Sequence, residues 1–244
     1  MKDLKTRYYP ESQFGGFSRV DGTIEFYLRV NALLAPGTVA VDYGCGRGAF
    51  LEDPVPFRRK LRNLKGKAYR VIGLDVDPAG EMNRSIDEFH LLDGNRWPLQ
   101  DSCADLCVCD SVLEHLPDPQ TFFNEAARVL KPGGFLCIRT PNLWSYVALV
   151  SRVVPNRSHV HVLEHVKEKT QSRDIFPTHY RCNSIPAINK AMKGSGFSGT
   201  VYGFAPEPAY LSFSRAVYGL GTFIHRHLPG IFSPVLLAFA KRGD

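Results

Sequence analysis

The stretch Val41-Asp42-Tyr43-Gly44-Cys45-Gly46-Arg47-Gly48 most narrows the folds open to this chain. An apolar run passes directly into glycines at alternate positions. Such a sequence fits a buried strand that ends in a loop, whose backbone turns sharply and approaches a ligand closely before a helix starts. The spacing is G-x-G-x-G, unlike the G-x-G-x-x-G fingerprint of dinucleotide sites.

The segments that follow repeat the strand-then-helix theme. Apolar runs at 39–44, 69–76, 88–93, 104–111 and 135–141 read as strands, separated by helical or loop segments. Continuous apolar strands joined by crossover helices call for a parallel sheet covered on both faces. Thr23 to Leu34 reads as a helix, capped by Asp21 or Thr23, with Ile24, Leu28 and Leu34 on its apolar side. The segment TFFNEAARVLKPGG reads as an amphipathic helix closed by Pro132-Gly133-Gly134. Residues 1–22 read as a polar and aromatic lead-in. Beyond Pro141 the pattern loosens, and residues 142–183 are rich in His, Arg and aromatics. Ile185 to Lys193 reads as a helix, and 199–204 with 234–242 as a closing pair of strands. Between those strands lies an aromatic helical insertion. A length of 244 residues fits one domain, 1–244, with insertions at 142–183 and 205–233.

Net charge is +6, compatible with an ordinary soluble surface or with an anionic partner. Seven basic side chains and no acid fall within residues 58–70. They read as a solvated helix face or as a patch for phosphate or anionic membrane. Pro54 and Pro56 should break the first helix, and Phe57, Leu61 and Leu64 restart it. No C-x-x-C pair occurs among the six cysteines. Cys45, Cys107, Cys109 and Cys137 lie in apolar runs or the glycine loop, where free thiols pack as small apolar groups. With a polar start, MKDLKTRYYPE, these features fit a reducing, cytoplasmic setting.

Several acids stand where strands end. Asp42 precedes the first glycine by two residues, and a carboxylate there suits a ligand with an ammonium and a sulfonium better than a pyrophosphate. Asp75 closes VIGLD, the position at which an acid accepts from both ribose hydroxyls. Asp93-Gly94 ends the third run and offers an acceptor for an adenine amino group. Asp110, Ser111, Glu114 and His115 follow the fourth run, at the rim where open α/β sheets bind ligands.

Together these segments resemble the class I S-adenosylmethionine-dependent methyltransferase family, in its small-molecule and glycan branch. VDYGCGRG looks like the family's first motif and LDVDP like its ribose-binding segment. DLCVCDSVLEHLPDP with RVLKPGG looks like the fourth-strand motif and the turn before the fifth. The resemblance covers 39–141 well and the rest loosely. It implies a Rossmann-like, doubly wound, mostly parallel seven-stranded sheet of order 3-2-1-4-5-7-6, whose seventh strand, PVLLAFAKR, is antiparallel. It implies S-adenosylmethionine as cofactor, leaving as S-adenosylhomocysteine. Asp42, Gly44, Gly46 and Gly48 would then hold the methionine part and Asp75 the ribose. Asp93 and Gly94 would flank the adenine, while Asp110, Ser111, Glu114 and His115 would line the seam with the acceptor. One departure is the 33 positions between Asp42 and Asp75, against about 20 in dinucleotide folds.

Methyl transfer asks the protein mainly for in-line geometry, with a general base where the acceptor is a hydroxyl. His115, His179 and Tyr180 are the candidates for that base. The insertions would build the acceptor's cap. His159, His161, Glu164 and His165 lack an H-E-x-x-H pattern, so no metal is expected. The expected partner is a small molecule or glycan. Nucleic acid is disfavoured, because C-D-S-V follows the fourth strand where DNA amino-methyltransferases carry N-P-P-Y or D-P-P-Y. The charges Arg215, His225, Arg226 and His227 exclude a spanning helix from the second insertion and leave a lid or peripheral membrane contact. RNA or protein methylation, a silent cofactor-binding subunit and a dehydrogenase are the alternatives.

Overall fold

The apolar runs become strands because each can bury both of its faces. In the computed structural model, which describes residues 2–146 and 177–244, the strands are β1 (Val39–Tyr43), β2 (Arg70–Asp75), β3 (Glu88–Leu91), β4 (Ala104–Asp110), β5 (Leu130–Pro141), β6 (Phe197–Phe204) and β7 (Val235–Arg242). Their order across the sheet is β3-β2-β1-β4-β5-β7-β6. β1 to β5 pair in parallel, and β7 runs antiparallel to both β5 and β6. The order and the direction of β7 are those the family resemblance implies.

Successive residues of β4 point to opposite faces of the sheet. Leu106 and Val108 join a core with Phe26, Val30 and Leu61. Cys107 and Cys109 join the opposite core with Phe122, Phe123, Ile188 and Met192. These cores are covered by α2 (Gly22–Ala32) and α3 (Pro56–Arg62) on one side and by α4 (Pro119–Val129) and α5 (Ile185–Gly194) on the other. Two-sided burial explains why the strands read as unbroken apolar runs. All six cysteines are free, and burial pushes the Cys107 and Cys109 thiols well up.

Helix starts follow the sequence closely. Asp21 caps α2 by accepting from the Thr23 and Ile24 amides at 3.0 Å each. Asp118 caps α4 through the Gln120 amide at 3.1 Å. A 3-10 turn, Ala49–Glu52, precedes Pro54, and α3 restarts at Pro56, as the two prolines predict. Leu28 departs from expectation. It is 45% exposed, because α2 turns Phe26, Tyr27 and Val30 to the sheet instead. The helix at 121–134 is also shorter than its periodicity. It ends at Val129, and Leu130 already pairs with Ala104. Pro132 cannot continue a helix, so Lys131 to Gly134 extend β5. The lead-in holds a helix the sequence does not announce, α1 (Lys2–Tyr8). Its Tyr8 ring packs 5.3 Å from Tyr218 of α6 (Arg215–His227).

The chain leaves β1 for β2 on one side and later enters β4 on the other. The carboxyl ends of β1 and β4 therefore flank the topological switch point, where such sheets open a crevice.

Phe123 has no exposed surface and sits between α4 and the sheet. Phe123→Ala should lower unfolding free energy in urea by about 3–5 kcal/mol while leaving the far-ultraviolet dichroism native-like.

Candidate functional site

The loop after β1 is shaped by glycine. Gly44, Gly46 and Gly48 have φ of 74°, 51° and 77°, the left-handed region. At Gly44 a Cβ would lie 2.2 Å from Val112 Cγ2, so only glycine lets the loop pass there. At Gly46 a Cβ would meet no atom within 4 Å, which leaves the loop open on that side.

Asp75 and Asn83 hold the loop in place. The Gly46 amide donates to Asp75 Oδ2 at 2.7 Å, and the Asp77 amide donates to Asp75 Oδ1 at 2.9 Å. Asn83 donates through Nδ2 to the carbonyls of Cys45 at 2.9 Å and Gly46 at 3.1 Å. Its own Oδ1 accepts from the Ser85 amide at 2.9 Å. Asn83 carries no sequence signal, because it acts through an amide that any polar residue of a loop could resemble.

Beside the loop lies a buried charge network. Arg139 grips Asp110 through Nε at 2.6 Å and Nη2 at 2.8 Å, and its Nη1 donates to Thr23 Oγ1 at 2.7 Å. The Tyr27 hydroxyl adds a bond to Asp110 Oδ2 at 3.0 Å, and Arg62 Nη2 lies 3.6 Å from the same oxygen. Burial would raise the Asp110 carboxyl, but Arg139 and then Arg62 hold it below its usual range. Both oxygens of Asp110 are thus engaged within the protein. Asp42 has no such grip. Burial pushes its carboxyl up to about 7; Arg62 opposes the rise, and Asp110 and Asp75 add to it. Arg139 was legible in principle, since a lone guanidinium inside FLCIRTP demands a buried partner.

Past β4 the chain makes a polar corner. Ser111 adopts a left-handed φ of 62°, and its amide bonds to the Arg139 carbonyl at 2.8 Å. Glu114 is 5% exposed and accepts from Thr140 Oγ1 at 2.9 Å; burial raises its carboxyl. Its carbonyl accepts from the amides of His179 at 2.7 Å and Tyr180 at 3.1 Å. His115 Nδ1 lies 2.8 Å from the Pro177 carbonyl. The backbone of His179 and Tyr180 is thus anchored to Glu114, beside His115. Thr140 and Asn183, joined by a 2.6 Å bond, complete the corner unannounced by the sequence. Asn183 Oδ1 is buried without a hydrogen-bond partner.

Asp93 and Gly94 are exposed just beyond β3, next to Leu92, whose amide bonds to the Asp75 carbonyl at 2.7 Å. Most cations of the basic stretch have partners within the chain, while Lys60, Lys65, Lys67 and Arg70 remain exposed. Arg58 pairs with Asp53 and Asp21, Arg62 faces Asp110, Lys65 faces Asp87, Lys67 bonds to the Leu61 carbonyl, and Arg70 pairs with Glu88. His159, His161, Glu164 and His165 lie outside the described residues. Among the described residues no group of three His, Cys, Asp or Glu could hold a metal ion. Across the rim, Trp144, Tyr146, Leu211, Ile224, His225 and Phe232 help line an apolar recess of about 270 Å3.

Residues 41–138 match the family described as a methyltransferase domain. This chain carries a class I methyltransferase domain of the S-adenosylmethionine-dependent kind. A probable S-adenosylmethionine-dependent methyltransferase of Mycolicibacterium smegmatis is 40% identical over 110 residues, covering 43% of this chain and 39% of that protein. A ubiquinone biosynthesis O-methyltransferase of Aliivibrio fischeri is 26% identical over 181 residues, covering 66% of this chain and 72% of the relative. The matching region spans 31–40% of the length of the first curated relatives. Among solved structures, an S-adenosylmethionine-dependent methyltransferase from Mesorhizobium loti superposes with a TM-score of 0.57 at 20% identity, covering 91% of this chain and all 100% of the other.

The methyltransferase domain suits its cofactor class in chemistry as well as in fold. Asp42, Asp75 and Asp110 end three strands side by side at the switch point, and the Asp42 charge is opposed by burial and, less strongly, by Asp110 and Asp75. A cationic sulfonium and ammonium would relieve that opposition. Gly46 leaves open space for it.

Two outcomes follow for the methyltransferase domain. Arg139→Ala strands the buried Asp110 charge and should cost about 3–5 kcal/mol in urea denaturation. For Asp42, a pKa raised from 3.8 to about 7 means that the ligand-free fold loses stability as pH rises between those values, since only the unfolded chain has then released its proton. Affinity for a cationic cofactor changes in the opposite sense. Calorimetric affinity for S-adenosylmethionine should rise from about pH 6 to about 7.5, below the range where an α-amino group titrates. Asp42→Asn should flatten that rise.

Proposed function

We propose that this chain transfers the methyl group of S-adenosylmethionine to a hydroxyl oxygen of a small molecule or saccharide. The observation that carries this reading is the position of His115, 3.9 Å from Glu114 Oε1 past the carboxyl end of β4, with the backbone of His179 and Tyr180 anchored on the Glu114 carbonyl, next to the glycine loop's strand. In this reading Asp42, Gly44, Gly46 and Gly48 bind the methionine part and Asp75 the ribose. Asp93 and Gly94 flank the adenine, and Ser111 and Glu114 line the seam. Bound there, S-adenosylmethionine supplies a methyl group on positively charged sulfur.

His115 has the geometry of a base. A carbonyl only accepts, so Nδ1 donates to Pro177 and the neutral ring carries its lone pair on Nε2. Nε2 lies 3.9 Å from Glu114 Oε1, which can steady the imidazolium once the acceptor's proton arrives. Tyr180 and His179 stand ready to orient the acceptor's oxygen. In this reading the insertion at 205–233 caps the acceptor, and the apolar recess beneath it gives the acceptor's carbon skeleton a dry wall; of the insertion at 142–183, residues 147–176 lie outside the described residues. The Aliivibrio relative, an O-methyltransferase, supports oxygen as the atom methylated. RNA methylation draws support only from residues 58–70, where Lys60, Lys65, Lys67 and Arg70 are exposed, although Lys65, Lys67 and Arg70 already have partners within the chain.

The test is methyl transfer from labelled S-adenosylmethionine to panels of hydroxylated small molecules, saccharides and RNA. Label should enter the first or second panel, and entry into RNA alone would overturn the acceptor class. His115→Ala should lower turnover by about 10²–10⁴-fold, with partial recovery at high pH and unchanged cofactor affinity. Turnover equal to the parent's would remove His115 as the base.

A further inference from the structure

The second insertion presents an apolar face that nothing in the described structure covers. On α6, Leu220 is 60% exposed, Phe223 63% and Ile224 41%, at helical spacings of three and four. The opposite side of the helix is the one the fold uses, burying Tyr218, Gly221, Thr222 and His225. Phe213 before the helix and Phe232 after it are also exposed, at 68% and 44%. A face of this extent marks a contact with an apolar partner.

Charge narrows the partner. No Asp or Glu occurs between Glu207 and Asp244. Exposed Arg226, three residues after Phe223, borders the apolar face and His227 lies within it, while exposed Arg215 begins the helix further round, beyond the side where Tyr8 packs on Gly219. Against a second copy of itself, the face would set these cations against one another. A nucleic acid would meet phenylalanine and isoleucine where it needs polar contacts. An anionic bilayer answers both properties at once. Its acyl boundary accepts the apolar side chains, and its headgroups accept the arginines. No helix among the described residues is long and apolar enough to cross a membrane, so such a face lies along the surface.

We infer that the α6 face, centred on Leu220, Phe223 and Ile224 and edged by Arg226, with Arg215 further round, docks this chain on an anionic lipid bilayer surface. The docking does not rest on the methyl-transfer reading, since it uses neither the strand-end acids nor the polar corner after β4. It has a consequence for them all the same. The insertion joins the carboxyl end of β6 to the start of β7, where Phe204 pairs with Val235 and Val235 with Pro141. Ile224 and Phe232 belong both to the docking face and to the apolar recess. Docking therefore brings the recess and the rim of the sheet to the lipid.

Co-sedimentation of the full chain with unilamellar vesicles tests this, comparing phosphatidylcholine alone with phosphatidylcholine mixed with phosphatidylglycerol. The chain should partition onto the mixed vesicles, weakly or not at all onto the neutral ones, and less as salt rises. Phe223→Asp should weaken partitioning about tenfold or more. Arg215→Glu with Arg226→Glu should abolish the preference for anionic lipid. Thermal unfolding and S-adenosylmethionine affinity should stay at parental values in each variant, because these side chains point to solvent. Failure to bind mixed vesicles overturns the inference, and so does equal binding by Phe223→Asp. Self-association in solution that Phe223→Asp removes, without vesicle binding, would reassign the face to a dimer.

Discussion

The grip of Arg139 on Asp110 organises the end of the sheet on which this protein's chemistry depends. A guanidinium inside a buried strand needs a partner that saturates it, and the bidentate carboxylate at the end of the neighbouring strand does so. The pair then recruits its surroundings. Thr23 and Tyr27 bring α2 to the rim, Arg62 brings α3, and the Ser111 amide on the Arg139 carbonyl sets the direction in which the chain leaves β4. The next residue of β5, Thr140, binds Glu114 and fixes the polar corner. One ion pair thus ties two helices, two strands and the corner into a single arrangement.

The rest of the rim shows how charge is distributed by use. Asp110 is neutralised by arginines and held low, whereas Asp42, a strand away, is pushed up toward neutrality. Asp75 spends its carboxylate on the amides of Gly46 and Asp77 and so positions the glycine loop. Of these three acids, one is paired with arginine and one with backbone, and Asp42, on the strand between them, with neither. Cations elsewhere follow the same economy. Most of those at 58–70 pair with Asp21, Asp53, Asp87, Glu88 and backbone carbonyls, while Arg215 and Arg226 stay on the surface beside apolar side chains.

The strands and most helix starts were legible because they rest on local rules. Apolar runs buried on both faces, Asp caps, Pro breaks and glycines with positive φ all act within a few residues. The carboxyl-end acids were legible for a similar reason, since a polar residue closing an apolar strand must lie at a rim. What stayed hidden were partners across sequence. Asn83, Thr140 and Asn183 carry no pattern of their own, and only folding sets them against Cys45, Glu114 and Pro141. The partners of the cations at 58–70 were hidden for the same reason, because the acids they pair with lie in other elements, while Lys60, Lys65, Lys67 and Arg70 keep the solvated face the sequence suggested.

The sequence by itself determined the strand-loop unit at 39–48, the alternation of strands and helices, and the identity of the acids at the strand ends. Those are consequences of chain stiffness, backbone hydrogen bonding and apolar burial, which act locally. Tertiary structure alone decided which acid is spent on arginine and which keeps its charge in question. It also decided that the backbone of His179 and Tyr180 is anchored on Glu114 beside His115, and which side of α6 the fold leaves uncovered. Each of those depends on distances between elements, and electrostatic and packing energies are set by distance in space rather than by separation along the chain.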